Sequence, residues 1–239
     1  MKRLAPSWIE ALEIWDWPTA SGPLHTRVGA PALALLDPGA ALERLVAELA
    51  PVLQELQRRH QCASLWIGGG LSQLPGLGEA LGATLSRDGR FVAERAGREV
   101  LGGEGLVVDV GQTAIKISRC QGEHVHRQIV ERPRGADTSF VAEVLSTLSG
   151  PMVLGLPCEI DPGLETGPCS YGLLDIPSLL APVPGPVWVA NDAILAAMSA
   201  SCEWTRRART LVVTLGFGPG AAVLDAGQHT QGSTDSVLG

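Results

Sequence analysis

The sequence has 239 residues, of which 45% are apolar and 18% charged, with a formal net charge of -7. That length can bury a substantial core in one domain or two modest lobes; the apolar residues are broken up by Gly and Pro, which excludes an uninterrupted membrane span, and the negative charge disfavours a phosphate backbone as partner. The five cysteines, Cys62, Cys120, Cys158, Cys169 and Cys202, contain no C-x-x-C pair and read as reduced thiols, so neither a disulfide framework nor a structural zinc is expected.

The amino-terminal segment, with Trp8, Glu10, Glu13, Trp15, Asp16 and Trp17, is too polar for a signal peptide, and a cytoplasmic address is expected. Trp8, Trp15 and Trp17 read as packing anchors or as an aromatic floor for a sugar ring. Leu42, Leu45, Val46, Leu49, Leu53 and Leu56 recur at helical spacing and predict an amphipathic helix over 40–57. A short apolar strand over 63–67 follows, then Gly68-Gly69-Gly70, then a helix expected from Pro75 towards Leu85.

From Gly105 the texture becomes strand and turn. Leu106-Val107-Val108 leads through Asp109-Val110-Gly111-Gln112-Thr113 into Ile115-Lys116-Ile117, a predicted hairpin, with a third strand over 124–130. His124 and His126 share a face of that strand and read as surface residues, not as a metal pair. A helix over 140–148 and a buried strand over 152–156 follow. The Pro/Gly-rich stretch 157–186 reads as a long lid-like connection. A strand over 187–189 hands over at Asn191-Asp192 to a helix over 193–202, and the arginines 206, 207 and 209 read as a cap at its end. A second hairpin then runs from 210–215 through Gly216-Phe217-Gly218-Pro219-Gly220 to 221–224. Two hairpins, each with a glycine turn, amount to an internal duplication.

A glycine turn lets backbone N–H groups approach an anion closely, so a facing pair can grip a triphosphate; each can equally be a tight hairpin with a polar tip. Near phosphate, Asp109 would act through Mg²⁺, and Thr113 or Lys116 could meet an oxygen directly. Asp192, where a strand meets a helix, suits either a general base or an N-cap.

Asp109 to Thr113, Ala190-Asn191-Asp192-Ala193 and Thr214 to Gly220 resemble, in order, three motifs of the ROK family (repressors, open reading frames and sugar kinases). Gly155-Leu156-Pro157 with Asp161 resembles a fourth. Trp66-Ile67-Gly68-Gly69-Gly70-Leu71-Ser72 resembles the family's carboxy-terminal piece but stands before the first motif, which implies a circular permutation. The resemblance implies a two-lobed α/β fold of the ribonuclease H-like, actin and sugar-kinase type, with mixed sheets flanked by helices. It divides the chain into a second-lobe segment over 1–103, a first lobe over 104–205 and a second-lobe hairpin over 206–239.

The function so implied is ATP-dependent phosphorylation of a hydroxyl on a sugar or sugar-like molecule, with ATP and Mg²⁺ bound between lobes. Asp192 would be the base. Asp109 (also the metal contact), Gly111, Gln112, Thr113, Lys116, Thr214, Gly216, Gly218, Gly220 and Gly68 to Gly70 would line the nucleotide, and Asn191 and Glu10 would touch the substrate. The expected partners are ATP and a small hydroxylated substrate, with no nucleic acid and no membrane; a homodimer is admitted. Departures are Gln112 for the family's second glycine, Phe217 for a hydroxyl residue, Pro219, Ala221 and Ala222 in the second turn, Val237 for a substrate-element Glu, and the absence of the zinc cysteines. They motivate the alternative, a catalytically inactive ligand-binding or partner-binding module on the same fold.

Overall fold

The computed structural model describes residues 1–133, 137–161, 163–164, 166–169, 176–203 and 208–225. The chain is mixed α/β and divides into two units. Unit 1 takes Met1–Pro6 and Ala93–Leu195; unit 2 takes Ser7–Val92 and the described residues from Ala196 on.

Unit 1 is organised on a six-stranded sheet. Strands β7 (Glu104–Val110), β8 (Ala114–Gln121) and β9 (His124–Glu131) form an antiparallel meander. To β7 are added, all parallel, β10 (Met152–Leu156), β13 (Val187–Asn191) and β1 (Lys2–Arg3). Every residue of β10 is buried, as its unbroken apolar run Met-Val-Leu-Gly-Leu requires of a central parallel strand. Helix α6 (Thr138–Ser146) starts at Asp137, whose carboxylate accepts the Ser139 N–H, and it buries Val141 and Leu145 in a core with Val108, Ile117, Leu154 and Val189. Helix α7 (Ile176–Leu180) joins the same core. Helix α5 (Glu94–Val100) is pinned by its buried Glu94, which accepts two bonds from the Arg127 guanidinium at 2.7 and 2.8 Å and one from the Ser118 hydroxyl at 2.8 Å.

Unit 2 holds a five-stranded sheet in the order β2 (Ile9–Leu12), β15 (Pro219–Asp225), β14 (Arg209–Leu215), β5 (Ser64–Gly68), β6 (Thr84–Leu85). The first two pairings are antiparallel and the last two parallel. The series β9, β8, β7, β10, β13 in unit 1 has the same pattern of sense, so the two sheets repeat one design. In unit 2, however, the strand matching β9 is β2, which comes from the start of the chain. Helix α3 (Pro38–His60) covers this sheet with Leu45, Leu49, Leu53 and Leu56. Asp37 caps its first turn by accepting the Ala40 N–H at 3.0 Å, and Gln61 ends it in the left-handed conformation. A small hairpin, β3 (Pro18–Thr19) and β4 (Gly22–Pro23), leads to the one-turn helices α1 (His25–Val28) and α2 (Ala30–Leu33).

Several expectations change. The helix read over 75–85 is only α4 (Leu77–Leu81), because Gly82 turns left-handed and Thr84–Leu85 pairs with β5. The 157–186 stretch is not wholly irregular: it carries a hairpin of β11 (Cys158–Ile160) and β12 (Thr166–Cys169), and α7. Cys158 is disulfide-bonded, contrary to five reduced thiols; its Cα partner across that hairpin is Cys169, while Cys62, Cys120 and Cys202 stay as thiols. Residues 1–6 and 93–103, read from the sequence with the second lobe, group with unit 1, and residues 196–203, read with the first lobe, group with unit 2. Arg209 opens β14; Arg206, Arg207 and Val237 lie outside the described residues. Among the described residues, no helix is long and apolar enough to cross a membrane.

Candidate functional site

In unit 1 the parallel strands β7, β10 and β13 end on one side of the sheet, the side where open α/β sheets place ligands. The register sets Asp109, Gly155 and Ala190 in one cross-strand row, with Asn191 and Asp192 just beyond it. Asp109 is buried on β7, and its Oδ2 accepts a 2.6 Å bond from Lys116 Nζ on the facing strand. Asn191 ends β13: its Nδ2 donates to the Cys158 carbonyl at 3.0 Å, and its Oδ1 accepts the Ala193 N–H at 2.9 Å. Asp192 begins α8 (Asp192–Glu203), and its Oδ1 accepts the same N–H at 2.8 Å. Asn191 thus caps the start of α8, and Asp192, the first residue of that helix, shares the Ala193 N–H.

Asp192 keeps some exposed surface, yet its carboxyl is crowded by protein. Loss of water around it, and then the neighbouring Asp109 charge, push its pKa up from 3.8 to about 7, while Lys116 and the amides at the start of α8 pull the other way. A carboxyl that is half ionised near neutral pH can take a proton and later release it. The turn between β7 and β8 holds Gly111, Gln112 and Thr113. Gly111 N–H donates to Ala114 O, Thr113 is exposed with its carbonyl accepting from Arg132 N–H, and Gln112 Oε1 is buried with no hydrogen-bond partner among the described residues. Thus the structure brings Asp109, Lys116 and Asp192 within electrostatic reach of one another, with Asn191 adjoining.

In unit 2, Gly68 ends β5 and Gly69 follows with φ of 91°, where an added Cβ would lie 2.4 Å from Leu215 O; only glycine suits that close approach. Gly70 opens a short 3-10 turn beside the Arg90 side chain. Thr214, half-buried on β14, pairs with Gly68 on one side and Gly220 on the other. The turn between β14 and β15 is clasped by its own unit. Gly216 N–H donates to Gly218 O, Gly216 O accepts from Ala30 N–H, and Gly218 is so close to Trp15 that a Cβ there would lie 1.9 Å from the indole. Trp15 in turn stacks on His25 at 4.6 Å and runs parallel to Phe217 at 6.4 Å. Trp15 is therefore a packing anchor, as expected, but one seated on the glycine turn. Glu10 is an exposed residue of β2 with His60 at 3.8 Å.

Sequence reasoning missed the Cys158 carbonyl as the anchor of Asn191 and Trp15 as the cover of Gly218. The first had a signal, two cysteines flanking an Asp-Pro-Gly turn; the second had none, since 15 and 218 are remote in sequence. His124 and His126 lie exposed on one face of β9, and among the described residues no group of three or more His, Cys, Asp or Glu gathers as a metal site. No family model matches the chain, and no curated protein matches it.

Proposed function

We propose that this chain is an ATP-dependent small-molecule kinase, phosphorylating a hydroxyl of a sugar or sugar-like substrate, on a circularly permuted ribonuclease H-like fold of the ROK kind. The observation that carries the reading is the Asp109, Lys116 and Asp192 cluster at the ends of parallel strands. The fold part is supported by the repeated sheet design, in which β2 occupies in unit 2 the place β9 holds in unit 1 although it precedes the rest of its sheet in the chain.

Asp192 takes the proton from the acceptor hydroxyl as its oxygen bonds to the γ-phosphorus; the bond from that phosphorus to the bridging oxygen breaks and ADP leaves. Asn191, fixed at both ends of its amide, orients the hydroxyl. Lys116 offers an ammonium to phosphate oxygens. A carboxylate oxygen of Asp109, with Asp192 near, suits Mg²⁺, which takes one or two carboxylates and completes its shell with water and phosphate. When bound, that ion supplies neutralisation of phosphate charge.

The test is ADP release from Mg²⁺-ATP across a sugar panel. An active acceptor is expected, with Asp192→Asn lowering kcat by roughly 10²–10⁴-fold while the thermal shift caused by Mg²⁺-ATP persists. An unchanged kcat would discard Asp192 as base. The clasped Gly218 turn favours a second reading, a non-catalytic module that binds nucleotide through unit 1. It predicts a thermal shift with Mg²⁺-ATP and no ADP with any acceptor.

A further inference from the structure

Strand β9 is the edge of the unit 1 sheet, and no described strand pairs with its outer side. Its pairing with β8 runs unbroken from His124 to Glu131, with no bulge and no proline to bar a further strand, and its charges Arg127 and Glu131 are of opposite sign. Arg132 N–H donates to Thr113 O across the end of the same ladder. Antiparallel alternation then turns the N–H and C=O groups of His124, His126, Gln128 and Val130 inward to β8. Those of Val125, Arg127, Ile129 and Glu131 face outward. All four outward positions share one side-chain face. Ile129 on that face is 37% exposed, one of few large apolar side chains so placed among the described residues.

We propose that β9 pairs antiparallel with β9 of a second copy of this chain, about a two-fold axis through Ile129. Of the available registers, this one alone matches the outward side chains. Ile129 meets its own copy, and Arg127 of each chain stands opposite Glu131 of the other. Centring the axis on Arg127 or Glu131 sets like charges against each other, which is destabilising; centring it on Gln128 or Val130 leaves both charges opposite apolar neighbours or beyond the strand. The chosen register makes about six main-chain hydrogen bonds and joins two unit 1 sheets into one continuous sheet. The partner is a second copy because the strand complements itself in charge: Arg127 and Glu131 are equidistant from Ile129 and opposite in sign. Arg127 keeps its bonds to Glu94 from the same face, which fixes its position before pairing. This surface stands independently of the proposed kinase activity.

Sedimentation equilibrium of the whole chain over a concentration series tests it. A monomer–dimer equilibrium is expected, with Ile129→Lys and, separately, Glu131→Arg each weakening the dimer by about tenfold or more. Neither side chain carries a bond into β8, so the fold is retained, and circular dichroism checks this. In a Cys202→Ser background, Ile129→Cys is expected to form a disulfide-linked dimer on mild oxidation, since the directly opposed pair falls within disulfide reach, and His124→Cys, which faces Gln121 in its own chain and stands far from its own copy, is not. A chain that stays monomeric throughout, a dimer indifferent to both charge variants, or equal cross-linking from both cysteine positions would overturn the proposal.

Discussion

Asp192 carries the heaviest demand placed on any single side chain. Its pKa is raised from 3.8 to about 7 because burial and the Asp109 charge disfavour the carboxylate. In that interval the folded chain holds a proton that the unfolded chain has released, so stability falls as pH rises from about 4 to about 7 and then levels. Asp192→Asn keeps the oxygen that accepts the Ala193 N–H and cannot ionise. The variant should equal the wild type in stability near pH 4 and exceed it at pH 8, by on the order of 1–3 kcal/mol; paired thermal melts across that range check this. On the proposed kinase reading, a base must be ionised to act, and the rate of phosphoryl transfer is expected to climb with pH through about 7. At Gly218 the constraint is steric. A methyl group there collides with the Trp15 ring, and Gly218→Ala should cost about 1–3 kcal/mol, with most of the loss recovered when Trp15→Ala is added. A double-mutant cycle by urea denaturation measures it, and full additivity would show that the contact is not the cause. Of these residues, Asp192 was legible because Asn-Asp stands between an apolar strand and a helical run. Its altered pKa was not, since Asp109 and Lys116 reach it only through strand register.

Elements with a long period were legible and short ones were not. Helix α3 announced itself through five leucines and one valine at helical spacing, β7 and β10 through apolar runs near glycine, and β8 through Ile115-Lys116-Ile117 after a glycine turn. Strand β1 has two residues, Lys2–Arg3, and no local sequence signal marks it; β13 supplies its hydrogen bonds. Helix α4 looked longer than it is because Leu81 and Leu85 keep helical spacing across a glycine that leaves the helix. Helix α5 escaped notice altogether, being seven residues long; it holds the sheet both by close packing, with Gly97 against Val107, and by an ion pair. Glu94 receives a two-pronged guanidinium from Arg127 and the Ser118 hydroxyl. Burial works to raise its pKa, but those partners outweigh burial and hold it below the ordinary glutamate range. Glu94→Ala should cost about 2–3 kcal/mol, less than a fully buried pair because Arg127 can turn to water. Since the folded pKa is depressed, the stabilisation is present above the ordinary glutamate pKa and disappears as pH falls through the folded value. The gap between wild type and variant in thermal melts should therefore close in acid, and a gap independent of pH would assign the loss to packing alone.

For the whole molecule, the order of motifs along the chain was readable, whereas the two sheets that result were not, because strand pairing between residues 9–12 and 221–224 leaves no trace in either segment. The observed pairing turns the proposed permutation into an experiment. Asp225 N–H donates to Trp8 O, so the chain leaving β15 is already beside the chain entering β2, as in a hairpin whose turn has been cut. The loop after α5 offers the reciprocal cut: Gly102 and Gly103 are in left-handed conformations, and Gly102 is exposed with open space around its Cα. Joining residue 239 to residue 1 through a flexible Gly/Ser linker and opening the chain between Gly102 and Gly103 gives a chain in which the strands of the unit 2 sheet come in the order β14, β15, β2, β5, β6, with β1 passing between β15 and β2, an order like that of β7, β8, β9, β10 and β13. Cutting an exposed turn disturbs few buried contacts, and the joined chain keeps Asp225 beside Trp8. The permutant should fold with the circular dichroism of the parent and lose no more than about 1–2 kcal/mol, the scale of a change in loop closure. A permutant that fails to fold, when the same linker inserted elsewhere in an exposed loop is tolerated, would mean that the start of β2 depends on its present connection and that the repeated sheet design does not record a permuted chain.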